Sequence, residues 1–128
     1  MTRQAGDPYV RNAVVLEIID ADTVLLDVDL GYFVHEHVPH RLFGINAPEK
    51  RTAAGKAAIA FLNDVMPKGT KVIVRSTKAK QDGMASDKYG GRFLAHLYIA
   101  QSGLYVNEHL VDSGFAFAWD GKGEKPTS

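Results

Sequence analysis

A small barrel of five strands carrying two to three helices, in the all-β or α+β class, is the architecture this sequence predicts. Three observations predict it. Strand-like segments fill the first half of the chain, an amphipathic helical segment follows the third of them, and two more strand-like segments precede a short helical stretch. The 128 residues are enough for one domain with a modest core.

Val14-Val15-Leu16-Glu17-Ile18-Ile19 is β-branched and apolar and reads as the first strand. Asp20-Ala21-Asp22 is a tight turn signal. Thr23 to Leu30 alternates, with Val24, Leu26, Val28 and Leu30 on one face and Asp27 and Asp29 on the other. A third run, Tyr32 to Ile45, is interrupted by Pro39, which implies an edge, a bulge or a loop there. Pro48 disfavours helix at Ala47, so the strand ends before it. A helix is expected from about Ala53 to Met66, with Ala57, Ala58, Phe61, Leu62 and Val65 as its apolar stripe, stopped by Pro67-Lys68-Gly69. Lys71 to Thr77 reads as the fourth strand, Lys78 to Gly91 as a long mobile loop, and Arg92 to Ala100 as the fifth strand. Val106 to Ser113 reads as a short helix with Gly114 just past its end, and Lys122 to Ser128 as a frayed tail. Five strands with a helix after the third outline an OB-type barrel. The expected domain spans 13–120, with an arm over 1–12 and a tail over 121–128.

Composition excludes several classes. Hydrophobic residues make up 45% and charged residues 23%, as in an ordinary globular protein. No apolar run approaches a membrane span, so no membrane partner is expected. Met1 to Tyr9 has no apolar stretch, so no secretory signal is read there. Without cysteine there is neither a disulfide framework nor a thiolate metal site. The net charge is zero, so binding to nucleic acid by bulk phosphate neutralisation is disfavoured, and any such function must sit in a local constellation.

Three segments supply one: Ile19-Asp20-Ala21-Asp22-Thr23-Val24, then Arg41-Leu42-Phe43-Gly44-Ile45-Asn46-Ala47-Pro48-Glu49, then Asp87-Lys88-Tyr89-Gly90-Gly91-Arg92. Together they offer carboxylates, an amide and two guanidinium groups. Phosphodiester hydrolysis needs this kit. Negative charge builds on the phosphate oxygens, and the planar fork of arginine matches them with two hydrogen bonds. Oxygen ligands can hold a hard cation that neutralises more of it. A carboxylate can orient or deprotonate water.

In order, spacing and the helix between them, these segments resemble the signature segments of the staphylococcal (micrococcal) nuclease family, over roughly Ala13 to Trp119. The resemblance implies a calcium-dependent nuclease that attacks DNA and RNA and leaves 3′-phosphate ends. It implies that Asp22, Asn46 and the carbonyl of Ala47 hold the metal. It implies that Arg41 and Arg92 clamp the scissile phosphate and that Glu49 serves as general base or water-positioner. Lys88 and Tyr89 fall where the family contacts a nucleotide's terminal phosphate. Three departures stand out. Asn46 replaces an aspartate, so weaker metal affinity is expected. Ala21 replaces a frequent glycine, which matters if that position needs positive φ. Gly91 is an apparent insertion that either forms a bulge or displaces Arg92.

Other readings stay beside these. The same barrel could be a catalytically weak or inactive nucleic-acid-binding module. His35, His37 and His40 suggest zinc, but a solvated strand or loop is preferred, since a zinc site wants three or four clearly spaced ligands. His96 and His109 read as structural, as do Asn107 and Glu108, which tie the short helix to neighbouring backbone. Lys78, Lys80 and Lys88 either steer phosphate or line a solvated loop. Trp119 either caps the core or stacks on a base, with the core preferred. A monomer is expected. It would be a cytoplasmic bacterial or phage enzyme, or else the mature form of a secreted one.

Overall fold

Alternating apolar residues set the inside of the barrel. In the computed structural model, which describes residues 10–78 and 93–119, Val24, Leu26 and Val28 are buried while Asp27 and Asp29 face outward. These belong to β2 (Thr23–Gly31), which pairs antiparallel with β1 (Val10–Asp20) on one side and β3 (Val34–Leu42) on the other. β3 pairs parallel with β6 (Phe93–Ile99), β6 antiparallel with β5 (Lys71–Lys78), and β5 antiparallel with β1. The result is a closed five-stranded barrel in the order β1-β2-β3-β6-β5, the OB-type architecture expected. β4 (Ile45–Asn46) and β7 (Phe117–Ala118) form a small second sheet beside it.

Two helices are present among the described residues. α1 (Ala53–Val65) buries Gly55, Ala58 and Leu62, and α2 (Val106–Asp112) buries Val106, Asn107 and Leu110. Leu62, Met66, Leu97 and Leu110 are completely enclosed together with the strand residues Leu26 and Leu42. α2 stops as its sequence predicts. Gly114 adopts φ +85°, its N–H donates to the Val111 carbonyl, and the Phe115 N–H donates to the Leu110 carbonyl. No helix among the described residues is long and apolar enough to cross a membrane.

Some expectations shift. β1 starts at Val10, because Val10 to Asn12 already pair with β5 before the pairing with β2 begins at Ala13. Ala57 is exposed rather than part of the buried stripe of α1. Pro39 does not break β3. It stays paired with Leu25 of β2 and lies just before the parallel pairing with β6 begins at His40. Ala21 is buried and is not among the residues with positive φ, so its side chain incurs no backbone strain.

His40 departs most from its expected surroundings. His35 and His37 share an exposed face and sit at 3.1 Å and 3.9 Å from the Asp27 carboxylate, whereas His40 points into the core. Its Nδ1 is hydrogen-bonded to the Val38 carbonyl at 3.0 Å, and its ring stacks on Phe93. Burial holds its pKa below the ordinary 6.5, with the Val38 bond opposing only in part. The unfolded chain therefore binds this proton more readily than the folded one. Stability is full above the unfolded value and drains away as the pH falls through it toward the lowered folded value. Urea melts at descending pH should show that loss, and His40→Gln should flatten it.

Candidate active site

The end of the barrel where β1 passes into β2 gathers most of the polar constellation. Thr23 pairs with Arg41 across β2 and β3, and the Leu42 N–H donates to the Asp22 carbonyl at 2.8 Å. That register places the turn Ala21–Asp22 beside the end of β3 and the segment that follows it. The Ala47 N–H donates to Asp22 Oδ2 at 3.0 Å, and the Thr23 hydroxyl donates to Oδ1 at 3.2 Å. These bonds lock the carboxylate in one orientation, which a side chain 13% exposed requires.

Arg41 completes the cluster. Its Nη2 lies 3.6 Å from Asp22 Oδ2 and donates to Asn46 Oδ1 at 3.1 Å, while Nη1 donates to the Ile45 carbonyl at 3.3 Å. The guanidinium also packs over the Trp119 ring, 5.5 Å from its centroid. Trp119 is anchored by its backbone N–H, which donates to the Gly44 carbonyl at 2.8 Å. So Trp119 is neither a core cap nor a bare platform. It is a half-buried plate that supports Arg41. The side chain of Arg41 is only 16% exposed, and its fork is held from three sides. A guanidinium held this way loses little conformational freedom when it takes up an anion.

Negative charge concentrates next to it. Asp20 has its carboxyl pushed above the ordinary 3.8, first by burial and then by Asp22, with Glu49 adding to the effect. The backbone and the charge of Lys50 oppose the rise. Asp20 is therefore part of the electrostatic site, although its sequence pattern says only turn.

Glu49 lies at the rim of this cluster. Its carboxylate is 72% exposed and accepts from Arg51 Nη2 at 2.9 Å, and no hydrogen bond or ion pair joins it to Arg41. Its backbone, in contrast, is rigidly held. The Glu49 carbonyl accepts from both the N–H and the hydroxyl of Thr52, at 3.0 and 2.7 Å. Thr52 caps α1 by accepting from the Gly55 N–H at 2.9 Å.

Gly55 is a positioning residue that sequence reasoning passed over. A Cβ there would overlap the Glu49 carbonyl, so only glycine lets the first turn of α1 approach this segment. The available signal was a glycine inside a predicted helix, where it is disfavoured by about 1 kcal/mol without a packing reason. Gly55→Ala should gain helix propensity yet lower the melting temperature and the turnover rate together, since the Glu49 backbone must move. Thermal melts paired with steady-state cleavage assays check this.

The oxygen atoms suit a hard cation. Asp22 Oδ2 and Asn46 Oδ1 converge on one positively charged nitrogen, and Asp20 and Glu49 add negative charge nearby. Among the described residues, no three carboxylate, imidazole or thiol groups form a ready metal cage. An ion there would depend on the Asn46 amide, on backbone carbonyls and on water. Lys80, Lys88, Tyr89, Gly91 and Arg92 lie outside the described residues. His96 and His109 occupy aromatic clusters. His96 is hydrogen-bonded to the Tyr105 hydroxyl at 2.7 Å and packs on Phe43, and His109 packs on Phe61.

Compared with known families, residues 39–127 match the family described as staphylococcal nuclease homologue. No curated protein matches the chain.

Proposed function

Since the chain belongs to the staphylococcal nuclease homologue family, we propose that it is a calcium-dependent phosphodiesterase that hydrolyses DNA, RNA or both and leaves 3′-phosphate ends. The observation that carries this reading is the guanidinium of Arg41, fixed between Asp22 and Asn46 with Trp119 at its face. It is a preorganised phosphate clamp beside oxygen donors suited to a cation. Asp22, Asn46 and the Ala47 carbonyl would hold that cation. When bound, a hard divalent ion supplies neutralisation of charge on the phosphate oxygens.

The chain's own residues supply the rest of the mechanism. Arg41, joined by Arg92, grips two non-bridging oxygens and gains hydrogen-bond strength as they become more negative. Glu49 rotates away from Arg51 to orient a water molecule or take its proton. Surface pairs such as Glu49–Arg51 are worth little, so this exchange is cheap. Water attacks phosphorus in line, the bond to the 5′-oxygen breaks, that oxygen takes a proton from solvent to leave as a hydroxyl, and the phosphate stays on the 3′ side. Lys88 and Tyr89 contact the terminal phosphate of the bound strand.

Asn46 reduces the negative charge of the proposed ligand set by one relative to aspartate. Asn46→Asp should tighten calcium binding by about tenfold, since affinity at such sites tracks ligand charge. Calorimetric titration of both proteins measures it, and equal affinities would refute the charge argument.

A second reading, nucleic-acid binding without hydrolysis, rests on the exposed pairing of Glu49 with Arg51. One assay separates the two. Purified protein with calcium should degrade single-stranded DNA and should stop when a chelator is added. Binding without cleavage under those conditions would leave only the second reading.

A further inference from the structure

At the end of the barrel away from Arg41, β2 and β3 are joined by a two-residue turn, Tyr32–Phe33, with Gly31 paired to Val34 across it. Both turn residues have left-handed backbone, φ +55° and +63°, and they are the only non-glycine residues that do so among those described. Hairpin turns of this kind favour Asn-Gly, because bulky side chains are strained there. Among the described residues nothing compensates for the strain by packing, since both rings are fully exposed. A local rule broken without an internal gain marks a position kept for an external contact.

The surroundings show what kind of contact. Leu30 and Val34 flank the turn and are exposed. Val10, also exposed, opens β1 at the same end, because Ala13 pairs with Val28. Of the six exposed large apolar side chains among the described residues, five therefore stand together, and Phe43 alone is elsewhere. Such a patch on a chain of this size signals a binding surface. Its rim carries both signs of charge, the carboxylates of Asp29 and Glu36 and the guanidinium of Arg75 opposite Val10, with the polar imidazoles of His35 and His37 beside them. A polyanion or an anionic membrane would meet those carboxylates. A second copy would bring cations to them, and the zero net charge of the chain removes long-range repulsion between copies.

We propose that this end of the barrel is a self-association surface, in which two copies pack about a twofold axis and each buries Tyr32 and Phe33 against Leu30, Val34 and Val10 of the other. The area is sufficient. A buried aromatic side chain covers about 150–250 Å², so four of them supply about 600–1,000 Å². The aliphatic residues carry the total toward the roughly 1,200–2,000 Å² of a specific interface. A twofold contact of this kind closes on itself and does not propagate. Thr23, paired with Arg41, lies eight residues along β2 from Gly31, about 26 Å at strand spacing, so both clefts stay open in the pair. On this proposal the chain forms a concentration-dependent dimer, where the sequence reading expected a monomer.

The test uses the full chain and the double substitution Tyr32→Asn with Phe33→Gly. It installs the favoured turn, so the variant should fold with an unchanged or higher melting temperature. Sedimentation velocity over a hundredfold concentration range should show the natural protein passing from monomer to dimer, and the variant should remain monomeric or associate at least tenfold more weakly. A natural protein that stays monomeric throughout, or a variant that dimerises equally well, overturns the proposal. So does a tip that binds phosphatidylcholine vesicles without self-association, which would make it a membrane anchor instead.

Discussion

Replacing Arg41 by lysine should lower cleavage of single-stranded DNA by about 10²–10³-fold at saturating calcium and substrate, the usual loss when one preorganised donor to a developing oxyanion is removed. Lysine keeps the charge, so Asp22 retains a cationic neighbour. It cannot reproduce a fork that reaches the Ile45 carbonyl and the Asn46 amide at once while stacking on Trp119. Arg41→Ala should be at least as inactive and also less stable, because it strands a carboxylate that is 13% exposed. Glu49→Gln provides the contrast. That side chain is exposed and, among the described residues, bonded to the exposed Arg51, so the melting temperature should barely move while the rate falls by about 10²–10⁴-fold. Steady-state rates and thermal melts on the same preparations separate the two cases. Near-normal cleavage by Arg41→Lys or Glu49→Gln would end the catalytic assignment of that residue.

The largest expected effect on stability lies elsewhere. Asn107 is 2% exposed, and its amide satisfies three backbone groups. Oδ1 accepts from the Leu97 N–H at 3.1 Å, and Nδ2 donates to the carbonyls of Phe43 and Ala95, each at 2.9 Å. This one side chain fastens α2 to β6 and to the segment that follows Arg41. Asn107→Ala would leave the Leu97 N–H and the Phe43 carbonyl without this partner, at about 1–3 kcal/mol each, while the Ala95 carbonyl keeps the Phe43 N–H, so a loss on the order of 2–6 kcal/mol is expected. Asn107→Asp keeps the acceptor but loses the donor, so it should recover little. Chemical denaturation measures both. A loss below about 1 kcal/mol for the alanine variant would mean that water replaces the amide.

Much of this was legible in the sequence because it rests on short-range rules. Alternation in Thr23 to Leu30 gave β2 its inner face, and Pro67 and Gly114 marked helix ends through backbone preferences that depend on a few neighbours. The clustering of Asp22, Arg41 and Asn46 followed from motif order, and barrel closure brings those segments together. The remainder depended on contacts that periodicity does not encode. His40 looked like one of three surface histidines, yet it has the opposite strand parity from His35 and His37 and lies in the core. Trp119 became a support for Arg41 through the pairing of β4 with β7, two strands of two residues each, too short to leave a pattern. Gly55 owes its importance to a backbone approach from six residues upstream. The turn at Tyr32–Phe33 lacked the usual Asn-Gly signature, so its hand could be seen only in the backbone angles.

The plate beneath Arg41 has one more use. Trp119 is the only tryptophan in the chain, and its indole lies against the guanidinium that would take up the phosphate. Its emission is therefore a built-in optical probe of the cleft, reporting on one place with no competing fluorophore of its kind. Ion and oligonucleotide titrations can be followed in unlabelled protein, and stopped-flow traces can time the arrival of substrate separately from the breaking of the bond.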